Sequence, residues 1–144
     1  MPEKETLERA RKDKAEGKAP STQAGEFVRE EIEHIREGKH GARSTKQAIA
    51  IGLSKARRAG VELAPPTTGS KEIRQQAVRD LKKGKSKTTK SAKRSRATLN
   101  ALKREGHSAA SKVALSRQAH NAASKRTAAS RSRSAKKAAA TRKK

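Results

Sequence analysis

Glu30, His34 and Glu37 are spaced four and three residues apart, so on a helix they occupy neighbouring turns of one face. Carboxylate and imidazole are ligands for zinc-type cations. The sequence offers no further clear ligand set, so a salt-bridged helix face is expected, with no metal and no cofactor. Two other motifs also stop short of chemistry. Gly84-Lys85-Ser86 has the ending of a phosphate-cradling loop, but Arg79 stands where its first glycine is required and no strand precedes it. Gly52-Leu53-Ser54-Lys55-Ala56 approximates a nucleophile elbow, with Ala56 in place of the last glycine and a helical pattern around it. His107 and His120 read as solvated. The chain has no cysteine, which excludes disulfides, thiol chemistry and cysteine-ligated metals. An enzyme is not expected.

The chemistry the sequence does support is charge neutralisation of phosphate. Lys and Arg number 38 against 14 Asp and Glu, a net charge of +24. Cations that neutralise a phosphate backbone release its condensed counterions. The residues expected to contact nucleic acid are Lys39, Arg43, Lys46, Lys55, Arg57 and Arg58 in the N-terminal part. In the C-terminal part they are Lys85, Lys87, Lys90, Lys93, Arg94, Arg96, Lys103, Arg104, Lys112, Arg117, Lys125, Arg126, Arg131, Arg133, Lys136, Lys137, Arg142, Lys143 and Lys144. His40 stands between Lys39 and Arg43 and could also meet phosphate. Phe27 is the one aromatic residue, so base stacking on aromatic platforms is not available and single-strand reading is disfavoured. Duplex DNA, bound without sequence preference, is the expected ligand. Two serine-bearing basic strings, Lys93–Arg96 and Arg131–Ser134, also resemble basic phosphoacceptor sites, although simple composition explains them better.

The elements that must carry these cations fall into three parts. Residues 1–84 hold 19 basic and 13 acidic residues; residues 85–144 hold 19 basic residues and one acid, Glu105. That second segment contains 15 Ala, 10 Ser and 5 Thr, and its large apolar residues are Leu99, Leu102, Val113 and Leu115. It reads as a basic arm, disordered when free or helical on a polyanion. Residues 1–20 read as a charged arm: residues 3–16, with Leu7 as their one large apolar residue, are expected to be a solvated helix or disordered, and a linker follows at 18–22.

Residues 21–84 carry the core. Ala24, Phe27, Val28, Ile32 and Ile35 fall in one stripe about 140° wide on a helix. Glu31 projects near its middle, at a thin point of the contact or against a cation. Ser44 and Gln47 have capping-box spacing, and Ala48, Ile49, Gly52, Leu53, Ala56 and Ala59 share a face. Gly38 and Gly60 read as C′ residues, the latter with Val61 as its apolar follower. Two antiparallel helices joined by 38–43 are expected, a hairpin rather than a DNA-reading helix-turn-helix, because that connection is longer than the usual tight turn. After Pro65-Pro66, Ser70 caps a third helix with Ile73, Ala77 and Leu81 on one face. The fold expected is all-α: a small hairpin or three-helix unit with a long basic arm.

Within the arm, Ala101–Lys112 aligns with Ala114–Lys125 at 8 of 12 positions, a 13-residue repeat. Thirteen residues are about 3.6 turns, so on one helix the copies would face different ways. Gly106 is expected to divide them.

The segment Gly25–Gly60 resembles a family of small, basic, uncharacterised bacterial proteins through the motif K-Q-A-I-A-I-G-L-S-x-A-R-x-A-G, met here at Lys46 to Gly60. The tail Ser134–Lys144 is similar to basic tails of bacterial proteins labelled plasmid-stabilisation or DNA-binding. It also resembles the Lys/Ala/Ser-rich arm of linker histones, departing from it in having no proline after Pro66. The resemblance implies a bacterial, nucleoid-type setting and brings no mechanism. No apolar run spans a membrane and no apolar leader is visible, so a cytoplasmic, nucleoid-associated protein is expected. The alternative is a protein-interaction or plasmid-maintenance module, in which residues 23–60 bind a partner or a second copy and the arm adds avidity.

Overall fold

The computed structural model describes residues 2–86 and 89–143; Lys87 and Lys144, both expected phosphate contacts, lie outside them. Seven α-helices and one 3₁₀ turn make up the described residues, with no strand. They are α1 (Lys4–Ala15), α2 (Pro20–Arg36), α3 (Thr45–Arg58), α4 (Lys71–Lys85), α5 (Ala92–Lys103), the 3₁₀ turn (Ser108–Ala110), α6 (Lys112–Ser124) and α7 (Ala128–Arg142).

The α2–α3 hairpin forms as its spacing predicts. Pro20 opens α2 at its first position, where its missing N–H costs nothing. Ser44 caps α3, its Oγ accepting from the Gln47 N–H at 3.1 Å. The reciprocal half of the box is displaced by one residue, because the Gln47 side chain accepts from the Arg43 N–H. At the far end Gly60 has φ +102°, a conformation that costs a residue without Cβ nothing. This lets the Gly60 N–H reach the Arg57 carbonyl and the Val61 N–H reach the Ala56 carbonyl, closing a Schellman motif over buried Val61. Between the two helices, Gly52 is the point of closest approach. A Cβ built there would stand 2.6 Å from Val28 Cα, so only glycine admits this spacing.

The core divides into two clusters. Ala10, Ala24, Phe27, Ala56 and Val61 form one, with Leu7, Leu53 and Leu63 packed against it. Thus α1 is a packed element, rather than the solvated helix or disordered arm its composition suggests. Its inner face is made of small and polar residues, Thr6, Ala10 and Asp13, and Leu7 supplies the large contact. Arg9 then ties it to α2, Nε donating to Glu26 Oε2 at 2.6 Å. Ile32, Ile35, Ala42, Ala48, Ala109 and Ala110 form the second cluster, with Val28 and Leu115 against it. Apolar packing therefore continues past residue 84. The 3₁₀ turn is pinned there by Thr45 Oγ1 donating to the Ala109 carbonyl at 2.7 Å and Arg36 Nε donating to the Ala110 carbonyl at 2.9 Å.

One further expectation is corrected. Helix α4 is rotated relative to the predicted face: Ile73 is 59% exposed, whereas Ala77 and Asp80 are buried. Asp80 faces α3 because it satisfies two donors there, Ser54 Oγ at 2.7 Å and Arg58 Nε at 2.7 Å. The arm is helical throughout its described length beyond residue 91, broken by short turns, with its helices begun by Ser91, Ser111 and Thr127 caps. The repeat is not a structural one. Its first copy straddles the break around Gly106 and buries Ala109-Ala110, while the second lies within α6 and leaves Ala122-Ala123 exposed.

Candidate nucleic-acid interface

Three elements enclose an open cleft of about 810 Å³: the outer face of α3, the C-terminal end of α4 and the exposed side of α5. Lys55 and Arg58 enter it from α3, Lys83 from α4, Lys90 from the connection, and Arg94 from α5. Hydroxyls of Ser54, Thr89, Ser91, Ser95 and Thr98 stand among them. The floor is apolar, from Ala50, Ile51, Leu99 and Leu102. Phosphate oxygens take such a combination of cation and hydroxyl donors.

The cations are not equivalent. Lys55 is bound to the Glu31 carboxylate, which is fully buried. Arg58 is bound to buried Asp80. Lys83, Lys90 and Arg94 have no ion pair among the described residues. Lys90 is exposed but hangs over the cleft. Partial desolvation there, with the positive charges of Arg58, Lys55 and Lys83, holds its ammonium below the ordinary lysine range. A group in that state gains when an anion arrives.

The remaining expected contacts are distributed as follows. Arg43, Lys46, Lys85, Lys93, Arg96, Lys103, Arg104, Lys112 and Arg117 are exposed, as are Lys125, Arg126, Arg131, Arg133, Lys136, Lys137, Arg142 and Lys143. Lys39 is exposed but spans Glu3 and Glu37, at 3.3 and 3.1 Å. Arg57 is different: it is buried, and its guanidinium donates to the Leu63 and Ala64 carbonyls, both at 3.1 Å. Burial lowers its pKa from the ordinary arginine value, against the opposing pull of Asp80. Arg57 holds the chain that leaves α3, while Arg58, its neighbour, faces the cleft. His40, expected near phosphate, is buried under α2 instead.

The sequence reading missed Lys83, whose position over the cleft follows from the rotation of α4. It also missed the grouping of Glu31 with His34 and His40; a carboxylate in mid-stripe was its one signal. Of the proposed trio, His34 does lie 3.8 Å from Glu30, but Glu37 is turned away to Lys39.

A family described as "Family of unknown function (DUF6496)" matches residues 14–68, from the end of α1 through the segment that follows α3. No curated protein and no solved structure matches the chain. Among the described residues, no helix is long and apolar enough to cross a membrane.

Proposed function

We propose that this protein binds duplex nucleic acid, DNA in the first instance, by neutralising phosphates without reading sequence, in the manner of a nucleoid-associated protein. The observation that carries the reading is the convergence of Lys55, Arg58, Lys83, Lys90 and Arg94 on one cleft. That cleft is continuous with helices whose cations point to solvent. Its volume and hydroxyl lining suit a stretch of sugar-phosphate backbone. The helices α5, α6 and α7 extend the same charge along the chain, and α7 buries none of its residues. The role is one of binding, with no catalytic step.

A fluorescence-anisotropy titration of the full chain on duplex DNA across a salt series tests it. If about 8–10 phosphates are engaged, log Kobs falls with log[salt] at a slope of roughly −7 to −9. Affinity that is indifferent to salt would refute the reading.

The second reading is a module that docks a protein partner, with plasmid maintenance as one setting. The exposed Val78 on α4 favours it, since it lines an open groove with Pro65 and Pro66. A partner recovered after nuclease treatment, and lost on Val78→Asp, would favour this alternative.

A further inference from the structure

Glu31, His34 and His40 come from two turns of α2 and from the connection that follows it, and one donor atom of each lies within 4.8 Å of the others. The Glu31 side chain is 1% exposed, and its Oε2 has no hydrogen-bond partner. A buried carboxylate oxygen without a partner is costly. His40 Nε2 stands 3.2 Å from it, an ion-pair distance, but outside hydrogen-bond geometry.

The ring nitrogens explain what this arrangement suits. His40 Nδ1 lies 2.9 Å from the Gly41 carbonyl, which can only accept, so Nδ1 carries the proton. In the neutral ring Nε2 is then a lone pair 3.2 Å from Oε2. His34 is held in the complementary way. Its Nε2 donates to Glu3 Oε1 at 3.0 Å, leaving Nδ1 on the Glu31 side, 4.0 Å from Oε1. Each imidazole thus has one nitrogen fixed by a carbonyl or carboxylate and the other turned inward. This is the outer-shell pattern of metal-bound histidines. The remaining Glu31 oxygen, Oε1, is engaged by Lys55, which orients the carboxylate and leaves Oε2 facing the rings.

Charge points the same way. Glu3, Glu30 and Glu31 lie against the two rings, with Lys39 on Glu3 and Lys55 on Glu31. Three carboxylates against two ammonium groups leave this corner of a strongly basic chain with a net negative charge, which favours a cation. Tetrahedral coordination at about 2.0–2.1 Å places ligand atoms roughly 3.3 Å apart. Glu31 and His40 already meet that spacing. His34, half-buried at the rim, has its donor within 4.8 Å of the others, so a ring movement of at most about 1.5 Å closes the rest.

We propose that Glu31 Oε2, His34 Nδ1 and His40 Nε2 bind a divalent transition-metal ion of the zinc type, with solvent in the fourth position. The ion fastens the connection after α2 to α2 itself and, through Glu3, to the start of α1.

The test uses the full chain freed of metal with a chelator. Co²⁺ titration is read by visible absorption, and Zn²⁺ titration by calorimetry. The expected result is one equivalent bound, with visible Co²⁺ bands of a four-coordinate site. Ring ¹⁵N resonances of His34 and His40 should shift, while those of exposed His107 and His120 stay in place. His34→Gln, checked for native helicity by circular dichroism, should weaken Zn²⁺ binding at least tenfold. The double variant His107→Ala/His120→Ala should bind as the parent does. Absence of stoichiometric binding by the parent overturns the site. So does binding unchanged in folded His34→Gln, or ring shifts confined to His107 and His120. These readouts involve no DNA and stand apart from the proposed function.

Discussion

Arg58 Nε donates to Asp80 Oδ1 at 2.7 Å, joining the outer face of α3 to an Asp80 that is 1% exposed. The same carboxylate accepts from Ser54 on α3 and from Gln76 on α4 itself, so one buried anion with two α3 donors locks α4 to α3. That contact sets one wall of the basic cleft. Asp80→Ala should lower stability by about 2–3 kcal/mol, at the low end for a broken buried pair because Arg58 is partly solvated. Urea unfolding followed by circular dichroism measures it. Where the variant remains folded, removing the carboxylate that engages Arg58 should leave DNA affinity equal or higher, not lower.

Arg57 and Arg58 are adjacent in sequence and opposite in role. Arg57→Ala strips two carbonyls, those of Leu63 and Ala64, of their donor. We expect a loss of about 1–3 kcal/mol in stability. The salt slope of DNA binding should not change, because the guanidinium faces inward. Arg58→Ala should shift that slope by about 0.9 toward zero if it contacts one phosphate. Anisotropy on both variants separates the two.

Lys90 gives the interface a pH signature. Its folded pKa lies below the ordinary 10.5, from desolvation and from Arg58, Lys55 and Lys83. The charged form is thus disfavoured in the free protein, and stability gains as pH rises through the lowered value. A bound phosphate reverses the bias by favouring the ammonium, so binding takes up a proton in that window. DNA affinity should therefore begin to fall at a pH below the ordinary lysine range. Lys90→Arg should retain affinity to higher pH. A series of anisotropy titrations at fixed ionic strength from about pH 7.5 to about pH 10 would show it, and identical pH profiles for the two proteins would count against Lys90 in the cleft.

Much of the fold was legible because it depends on local rules. Ser44, Ser70 and the glycines at 38 and 60 mark helix ends by chemistry confined to a few residues, and these ends stand where the spacing places them. The apolar stripe of α2 and the small-residue face of α3 identify the hairpin for the same reason. What periodicity could not show is which polar residue a helix turns inward. In α4, Asp80 outcompetes Ile73 for the interior because Arg58 and Ser54 wait on α3. In α1, a face of Thr6, Ala10 and Asp13 looks solvated until Arg9 meets Glu26. The core role of Ala109-Ala110 was hidden because the same Ala-Ala-Ser-Lys string recurs at 122–125 on the surface; only the pocket beside Ile35 and Ala48 distinguishes them. The cation list was read from composition, and composition does not separate Arg57, which caps a chain segment, from Arg58, which lines the cleft.

The central claim is that the cleft and the arm together neutralise phosphate. The most direct measurement is duplex-DNA binding across about 50–200 mM salt. It compares the full chain with a variant in which Lys83, Lys90 and Arg94 are changed to Gln, and with one in which Arg131, Arg133, Lys136 and Lys137 of α7 are. The account predicts a parent slope of roughly −7 to −9, brought toward zero by about 0.9 for each phosphate no longer neutralised, in both variants and on any sequence of equal length. A parent whose affinity does not change with salt, or slopes identical in all three proteins, would contradict it.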